Sequence, residues 1–122
     1  MTPSEIIKAD CERRGVDYRK EFMFIKSAID KAKGILLRAE NTLMLAVPIG
    51  KGDVELHMYT ADSPLKLYKA VIELRKKLQN GGVKKAYTEI TNPQVEEMAK
   101  RTDWNVQPSD KERYNFMAVL GE

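Results

Sequence analysis

The apolar and polar positions of this chain change period several times, from the 3.6-residue spacing of helices to the alternation of strands. At the N-terminus, Thr2, Pro3 and Glu5 form a capping signal, with a hydroxyl before the first turn and a carboxylate three residues later. This signal predicts a first helix that runs to about Arg14. Gly15, which tolerates the left-handed conformation, predicts the end of that helix.

A second helix is predicted from Asp17 to Gly34. Its apolar residues recur at spacings of four and three, which is typical of a helix that buries one face. We predict that this face is buried in the core. Its members are Tyr18, Phe22, Ile25, Ile29 and Ala32.

The next part of the chain predicts three antiparallel strands. The stretch ILLRAENTLMLAVPIG at 35–50 predicts a hairpin whose tight turn lies at Glu40 and Asn41. A second turn between Gly50 and Asp53 leads into the strand VELHMYT at 54–60. These strands precede the longest predicted helix.

The stretch SPLKLYKAVIELRKKL at 63–78 predicts a long amphipathic helix. Asn80, Gly81 and Gly82 supply its end. Alternation at 86–90 then predicts a strand, and a strand, helix and strand in this order favour a right-handed crossover in which the helix covers one sheet face. The apolar stripe consists of Leu67, Val71, Leu74 and Leu78, widened by Leu65, Tyr68 and Ile72.

A shorter helix and a terminal strand complete the predicted order of elements. The helix lies in NPQVEEMAKRTDW at 92–104, and the chain closes on RYNFMAVL at 113–120. Trp104 is expected to close the core at the end of this helix. No linker or repeat interrupts the series, so a single domain over 1–122 is predicted.

Composition narrows the class of protein. Hydrophobic residues make up 43% of the chain, enough for one core, and 21 basic against 18 acidic side chains leave a net charge of +3. That small excess gives no support to nucleic-acid binding. Cys11 is the single cysteine, so an intrachain disulfide is impossible, and we expect it to be a small buried hydrophobe. We expect no metal site, no signal peptide and no membrane span.

This order of elements resembles the GNAT (acyl-CoA N-acyltransferase) superfamily, including small bacteriophage proteins of that kind. The stretch LKLYKAVIELRKKLQNGGVKKAYTEI at 65–90 carries the resemblance, together with Asn92 and the following VEEMAKRTDW. The resemblance spans nearly the whole chain, apart from a missing first strand. It implies an α+β fold with a central, mostly antiparallel mixed sheet and helices on both faces.

The loop before the long helix departs from the pattern of that superfamily. There, a glycine-rich loop offers backbone N–H groups to the pyrophosphate of acyl-CoA. The two glycines align with Asp62 and Pro64. Pro64 has no N–H to donate, and Asp62 adds a negative charge that costs about 1 kcal/mol per charge contact at solvent dielectric. The tyrosine that often serves as general acid aligns with Ala99, so that role is vacant.

If acetyl-CoA binds nevertheless, the resemblance implies which residues hold it. The strand backbone from Met58 to Thr60 would contact the cofactor. The N–H groups of Leu65 and Lys66 would lie at its phosphates, with Asn92 nearby.

Candidate acid–base residues lie on the strand before the long helix. Glu55, His57 and Tyr59 share one face because side chains alternate along a strand. Glu55 or His57 could deprotonate an amine acceptor, directly or through water. The alternative is that both are ordinary polar residues of a half-exposed strand.

Two functions therefore remain open. One is a non-catalytic binding or structural module with a degenerate pyrophosphate loop, of bacteriophage origin and of the internal virion type. The other is an active acetyl-CoA-dependent N-acetyltransferase on an amine acceptor. The expected location is the cytoplasm or, for a phage protein, the virion, with a protein partner or self-association that the sequence does not identify.

Overall fold

The computed structural model describes residues 1–90 and 93–121. Its elements alternate as the sequence pattern predicts, in one mixed α+β arrangement. The helices are α1 (Pro3–Arg14), α2 (Tyr18–Ala32), α3 (Pro64–Asn80) and α4 (Pro93–Arg101). The strands are β1 (Ile35–Ala39), β2 (Thr42–Gly50), β3 (Asp53–Thr60), β4 (Lys85–Thr88), β5 (Val106–Pro108) and β6 (Phe116–Val119).

Across the described residues the strands form one six-stranded sheet in the order β1-β2-β3-β4-β6-β5. Every neighbouring pair is antiparallel except β3 and β4, which run parallel. A parallel pair needs a crossover, and α3 supplies it. The predicted mostly antiparallel mixed sheet is thus confirmed.

Helices α1 and α2 pack on one face of the sheet. Ile6, Ile7 and Cys11 of α1 meet Ile25 of α2 in a buried cluster. The sheet contributes residues of alternating positions to the same cluster. They are Leu43, Leu45, Val47 and Tyr59. Cys11 is fully buried, as predicted.

Helix α3 packs on the opposite face. Its buried positions, Ala70, Val71, Leu74 and Leu78, follow the spacing of an amphipathic helix. Met44, Ala46, Val54 and Leu56 of the sheet belong to the core on that side. Trp104, only 5% exposed, closes this core, and its indole Nε1 donates a 3.2 Å hydrogen bond to the Val71 carbonyl oxygen.

The local signals for the two ends of α1 and for the hairpin turn are confirmed. Thr2 and Glu5 form both hydrogen bonds of the capping box, and Gly15 ends α1 with a φ of 70°. The hairpin turn lies at Glu40 and Asn41, as predicted, with Glu40 at a φ of 53°. Helix α2 ends one residue before Lys33, which takes the left-handed cap in place of Gly34.

The predicted buried face of α2 is wrong in part. Phe22 and Ile29 are 38% and 41% exposed, and Ala32 is exposed as well, whereas Ala28 is buried with Ile25. The helix meets the sheet along a narrower stripe than its apolar positions suggest. In α3, Leu65 and Tyr68 are likewise exposed.

Two further differences concern strands. The strand predicted to reach Ile90 ends at Thr88. Two strands follow α4, since Val106–Pro108 pairs with Phe116–Val119 as a hairpin. The sequence pattern predicts one terminal segment and does not indicate the first of these strands.

Candidate ligand-binding cleft

Strands β3 and β4 pair over a short length and then leave a cleft between them. Their register runs from Asp53 opposite Lys85 to Glu55 opposite Tyr87, while β3 continues to Thr60. Just beyond the last pair, the Thr88 hydroxyl donates a 3.2 Å hydrogen bond to a β3 carbonyl oxygen. A cavity of about 660 Å³ occupies the opening. This volume is within the range of small-molecule sites, about 300–1,000 Å³.

The cleft has two chemically different walls because side chains alternate along β3. On the side of α3 and α4 the lining is apolar. It includes Leu56, Met58, Val71, Met98, Ala99 and Trp104. On the side of α1 and α2 the lining is mostly polar. It includes Arg14, Glu21, Glu55, His57, Arg113 and Tyr114.

Glu55 is the centre of the polar wall. Its Oε1 accepts a 2.5 Å hydrogen bond from the hydroxyl of Tyr114, and its Oε2 lies 2.7 Å from Nε2 of His57. A guanidinium nitrogen of Arg113 lies 3.4 Å from Oε1. The ring of Phe24 on α2 packs edge-on against His57, with the two ring centroids 4.9 Å apart. Residues of β3 and of the segment before β6 thus meet at one carboxylate, and α2 reaches the same cluster through His57.

These contacts set the protonation of the cluster. Burial alone would raise the pKa of Glu55, which is 7% exposed. The hydrogen bonds from Tyr114 and His57 and the charge of Arg113 outweigh burial, so the pKa of Glu55 is lowered. For Tyr114, burial and the hydrogen bond to Glu55 act in the same direction and raise the pKa to about 12. At neutral pH the pair is therefore a carboxylate and a neutral phenol.

A buried carboxylate on α1 supports β3 where it borders the cleft. Asp10, only 2% exposed, accepts hydrogen bonds from the backbone N–H of Thr60 at 3.0 Å and from Arg14 Nε at 2.6 Å. Arg13 lies 2.5 Å from the same carboxylate. Tyr59, one residue before Thr60, donates a 2.6 Å hydrogen bond to Glu21 of α2. The end of β3 is thus fixed to both N-terminal helices.

The loop between β3 and α3 is held by hydrogen bonds to the β1–β2 turn and the start of β2. Asp62 Oδ2 accepts hydrogen bonds from the Asn41 backbone N–H at 2.9 Å and from the Thr42 hydroxyl at 2.7 Å. The Thr60 hydroxyl lies 2.7 Å from that of Thr42. The Asp62 carboxylate therefore holds the β1–β2 turn. Pro64 is the first residue of α3. Proline suits this position because an N–H there would have no partner within the helix.

Only some of the residues predicted to contact acetyl-CoA lie at the cleft. Met58 lines the cleft, but the N–H of Thr60 is already bonded to Asp10. Leu65 and Lys66 are exposed at the start of α3 and are not part of the cleft lining. Asn92 lies outside the described residues. Of the predicted acid–base pair, Glu55 and His57, both lie at the cleft and contact each other.

Sequence reasoning missed Tyr114 and Arg113, which complete the Glu55 cluster. Both precede β6 and are far from Glu55 along the chain. The run RYN directly before the terminal strand was visible as a polar segment with an aromatic residue. Only the pairing of β4 with β6 brings that segment beside β3.

Within residues 1–90 and 93–121, no group of three or more histidine, cysteine, aspartate or glutamate side chains is placed to hold a metal ion. Over the same residues, no helix combines the length and the apolar content needed to cross a bilayer.

Comparisons with known proteins identify no relative. The chain matches no protein-family model, and neither a curated protein nor a solved structure matches it.

Proposed function

We propose that this chain is a GNAT-like binding module without acetyl-transfer activity, whose cleft between β3 and β4 takes a ligand other than coenzyme A. A cleft of this size, with one apolar and one polar wall, is typical of a small-molecule site. The residues that would hold the pyrophosphate of coenzyme A do not fit that group.

The start of α3 carries this proposal. A pyrophosphate at a helix N-terminus needs free backbone N–H groups and a loop that lets it approach them. Pro64 removes one donor, and Asp62 ties the preceding loop to Asn41 and Thr42 by two hydrogen bonds. The second oxygen of Asp62 is buried and has no hydrogen-bond partner among the described residues. Its charge would oppose a nearby phosphate.

The lowered pKa and the hydrogen bonds of Glu55 agree with a binding role. A general base works best when its pKa lies near the operating pH. The pKa of Glu55 is lowered, and both carboxylate oxygens already accept hydrogen bonds or a charge contact. Such a carboxylate is a weak base at neutral pH. It is suited to organising the side chains around it.

A second candidate function is the acetyl-CoA-dependent N-acetyltransferase. It is favoured by the contact between Glu55 and His57 at the cleft. A carboxylate that bonds one imidazole nitrogen orients the ring and leaves the other nitrogen to act on a substrate. This reading assigns the base to His57 and the orienting role to Glu55.

Acetyl-CoA binding distinguishes the two functions. We expect no shift in the thermal midpoint and no heat of binding in calorimetry, whereas saturation at 100 times the dissociation constant would add about 2.7 kcal/mol of stability. Acetyl-CoA binding by the unmodified protein, or acetylation of a panel of amines, would contradict the proposal.

A variant of the loop before α3 tests whether Asp62 and Pro64 are what excludes acetyl-CoA. Asp62→Gly combined with Pro64→Gly restores a donor and removes the charge, so we expect weak acetyl-CoA binding to appear. Ser63→Gly is the matched control, because it adds a glycine to the same loop but leaves Asp62 and Pro64 in place. Continued absence of binding in the folded double variant would show that the loop is not what excludes the cofactor.

We attach to this proposal the setting that the sequence resemblance implies, an internal virion protein of a bacteriophage. This part rests on the resemblance alone. Mass spectrometry of purified virions of the phage that encodes the chain tests this setting. Detection of the chain among the packaged proteins would support it, and its absence would contradict it.

A further inference from the structure

We infer that the apolar part of the cleft, beneath α4, binds a small uncharged amphiphile. Its hydrocarbon body would lie against α4, and its single hydroxyl or similar head group would point toward the Glu55 cluster. The inference rests on the proposed binding role of the cleft and names the chemical class of the ligand.

Helix α4 is the first observation behind this inference. The helix is amphipathic, yet none of its residues from Pro93 to Arg101 is buried. Its apolar side chains Val95, Met98 and Ala99 line the cavity, where a closed core would normally cover them. An unfilled apolar volume loses the dispersion contacts of its lining. An apolar ligand would restore them.

The lining is also adaptable. Met44, Met58 and Met98 all border the cavity. Methionine is unbranched and polarisable, so it adjusts to ligands of different outline. Trp104 forms a firm end wall, because its indole nitrogen is bonded to the backbone of α3. These walls fit an aliphatic chain or a single ring better than a rigid polar molecule.

The charges of the lining favour an uncharged head group. The buried carboxylates that border the cavity already have cationic partners, since Glu55 meets Arg113 and Asp10 meets Arg13 and Arg14. Glu21, which also lines the cavity, already accepts the hydrogen bond of Tyr59. A charged ligand buried against Val95, Met98 and Trp104 would lose its hydration without meeting an opposite charge among them. A hydroxyl can instead exchange hydrogen bonds with the polar groups around Glu55.

Three ligands with the same chain and different head groups test this inference. The probes are 1-octanol below its solubility limit, and octanoate and octylammonium below their critical micelle concentrations. Trp104 is the single tryptophan of the chain and lines the cavity, so its fluorescence reports on occupancy. We expect a saturable change with 1-octanol and affinities at least about tenfold weaker for both ions, because burying a charge is costly. Calorimetry provides a second readout.

A cavity-filling variant locates the site. Ala99→Phe places a ring in the cavity and should weaken 1-octanol binding by at least about tenfold. Lys100→Ala, on the exposed side of α4, is the matched control and should bind like the unmodified protein. If Ala99→Phe does not fold by circular dichroism, Ala99→Leu adds less volume and should weaken binding to an intermediate degree.

The results that would overturn this inference differ from the result that would overturn the proposed function. Failure of 1-octanol to bind, equal binding of all three probes, or full binding by a folded Ala99→Phe protein would overturn the inference. None of these results depends on coenzyme A. Acetyl-CoA binding, measured on the same preparation, would instead overturn the proposed function.

Discussion

The hydroxyl of Tyr114 lies 2.5 Å from Oε1 of Glu55, which ties the loop before β6 to the middle of β3. The two residues are 59 positions apart, so the contact exists only in the folded chain. Glu55 is the last residue of β3 that pairs with β4, so the contact lies where the cleft begins. The bond therefore links the stability of the fold to the shape of the candidate site.

Removing that hydroxyl should destabilise the protein. Tyr114→Phe deletes a hydrogen bond to an ionised carboxylate, and we expect the free energy of unfolding to fall by about 1–3 kcal/mol. Urea unfolding followed by circular dichroism measures the change. Tyr68→Phe is the control, because that hydroxyl makes an exposed 3.4 Å contact with a carbonyl oxygen. Equal stabilities of the two variants would contradict a structural role for the Tyr114 hydroxyl.

The lowered pKa of Glu55 predicts a dependence of stability on pH. A carboxyl whose pKa is lower in the folded than in the unfolded chain stabilises the fold above the unfolded value, here the ordinary 4.5. This contribution is lost as the pH falls from there through the folded pKa. Unfolding by urea between pH 6 and pH 2 should show it.

The matched variants for that experiment are Glu55→Gln and Glu12→Gln. Glu55→Gln removes the titrating group, so its stability should change less steeply with pH in the acidic range. Glu12 is exposed on α1, and Glu12→Gln should follow the unmodified protein. Parallel curves for all three proteins would show that Glu55 has no special part in acid unfolding.

Local signals in the sequence predicted much of the fold, and tertiary contacts account for what they missed. The capping box at Thr2 and the turn at Glu40 and Asn41 depend on neighbouring residues, so spacing was enough to find them. The exposed side of α2 depends on how that helix meets the sheet, and periodicity cannot show this. Phe22 is the example, since its spacing predicted burial.

In the candidate site, too, local sequence predicted some features and tertiary contacts determine the others. Alternation along β3 is enough to predict that Glu55 and His57 lie on one face. The role of Asp62 was not visible, because its partners Asn41 and Thr42 belong to a different turn. The resemblance implies that its charge faces a ligand, whereas in the structure its carboxylate holds the β1–β2 hairpin.

Asp62 should therefore matter for stability. Asp62→Ala removes two hydrogen bonds to an ionised acceptor and leaves the Asn41 N–H and Thr42 hydroxyl without it. We expect a loss of about 1–3 kcal/mol in the free energy of unfolding. Asp30→Ala, an exposed aspartate on α2, should change it by no more than about 0.5 kcal/mol. A neutral Asp62→Ala variant would mean that the loop is held by other contacts.

Gly34 tests the close approach between the end of α2 and the sheet. A Cβ at this position would lie 3.0 Å from the Ala28 carbonyl oxygen and 3.3 Å from Cδ1 of Leu45. The backbone oxygen already accepts a 2.9 Å hydrogen bond from the Gly34 N–H, so it has little freedom to move. Gly34→Ala should cost about 1–3 kcal/mol in urea unfolding, as overpacking does.

Gly50→Ala is the matched control for Gly34→Ala. At Gly50 the nearest atoms to an added Cβ belong to Asp53 at 3.9 Å, which is an ordinary contact. Because alanine also restricts the unfolded chain, the control should be neutral or slightly stabilising. If both alanine variants behave alike, α2 can shift away from β2 without cost. In that case the N-terminal helices would hold the polar wall of the cleft less rigidly than their contacts with β3 indicate.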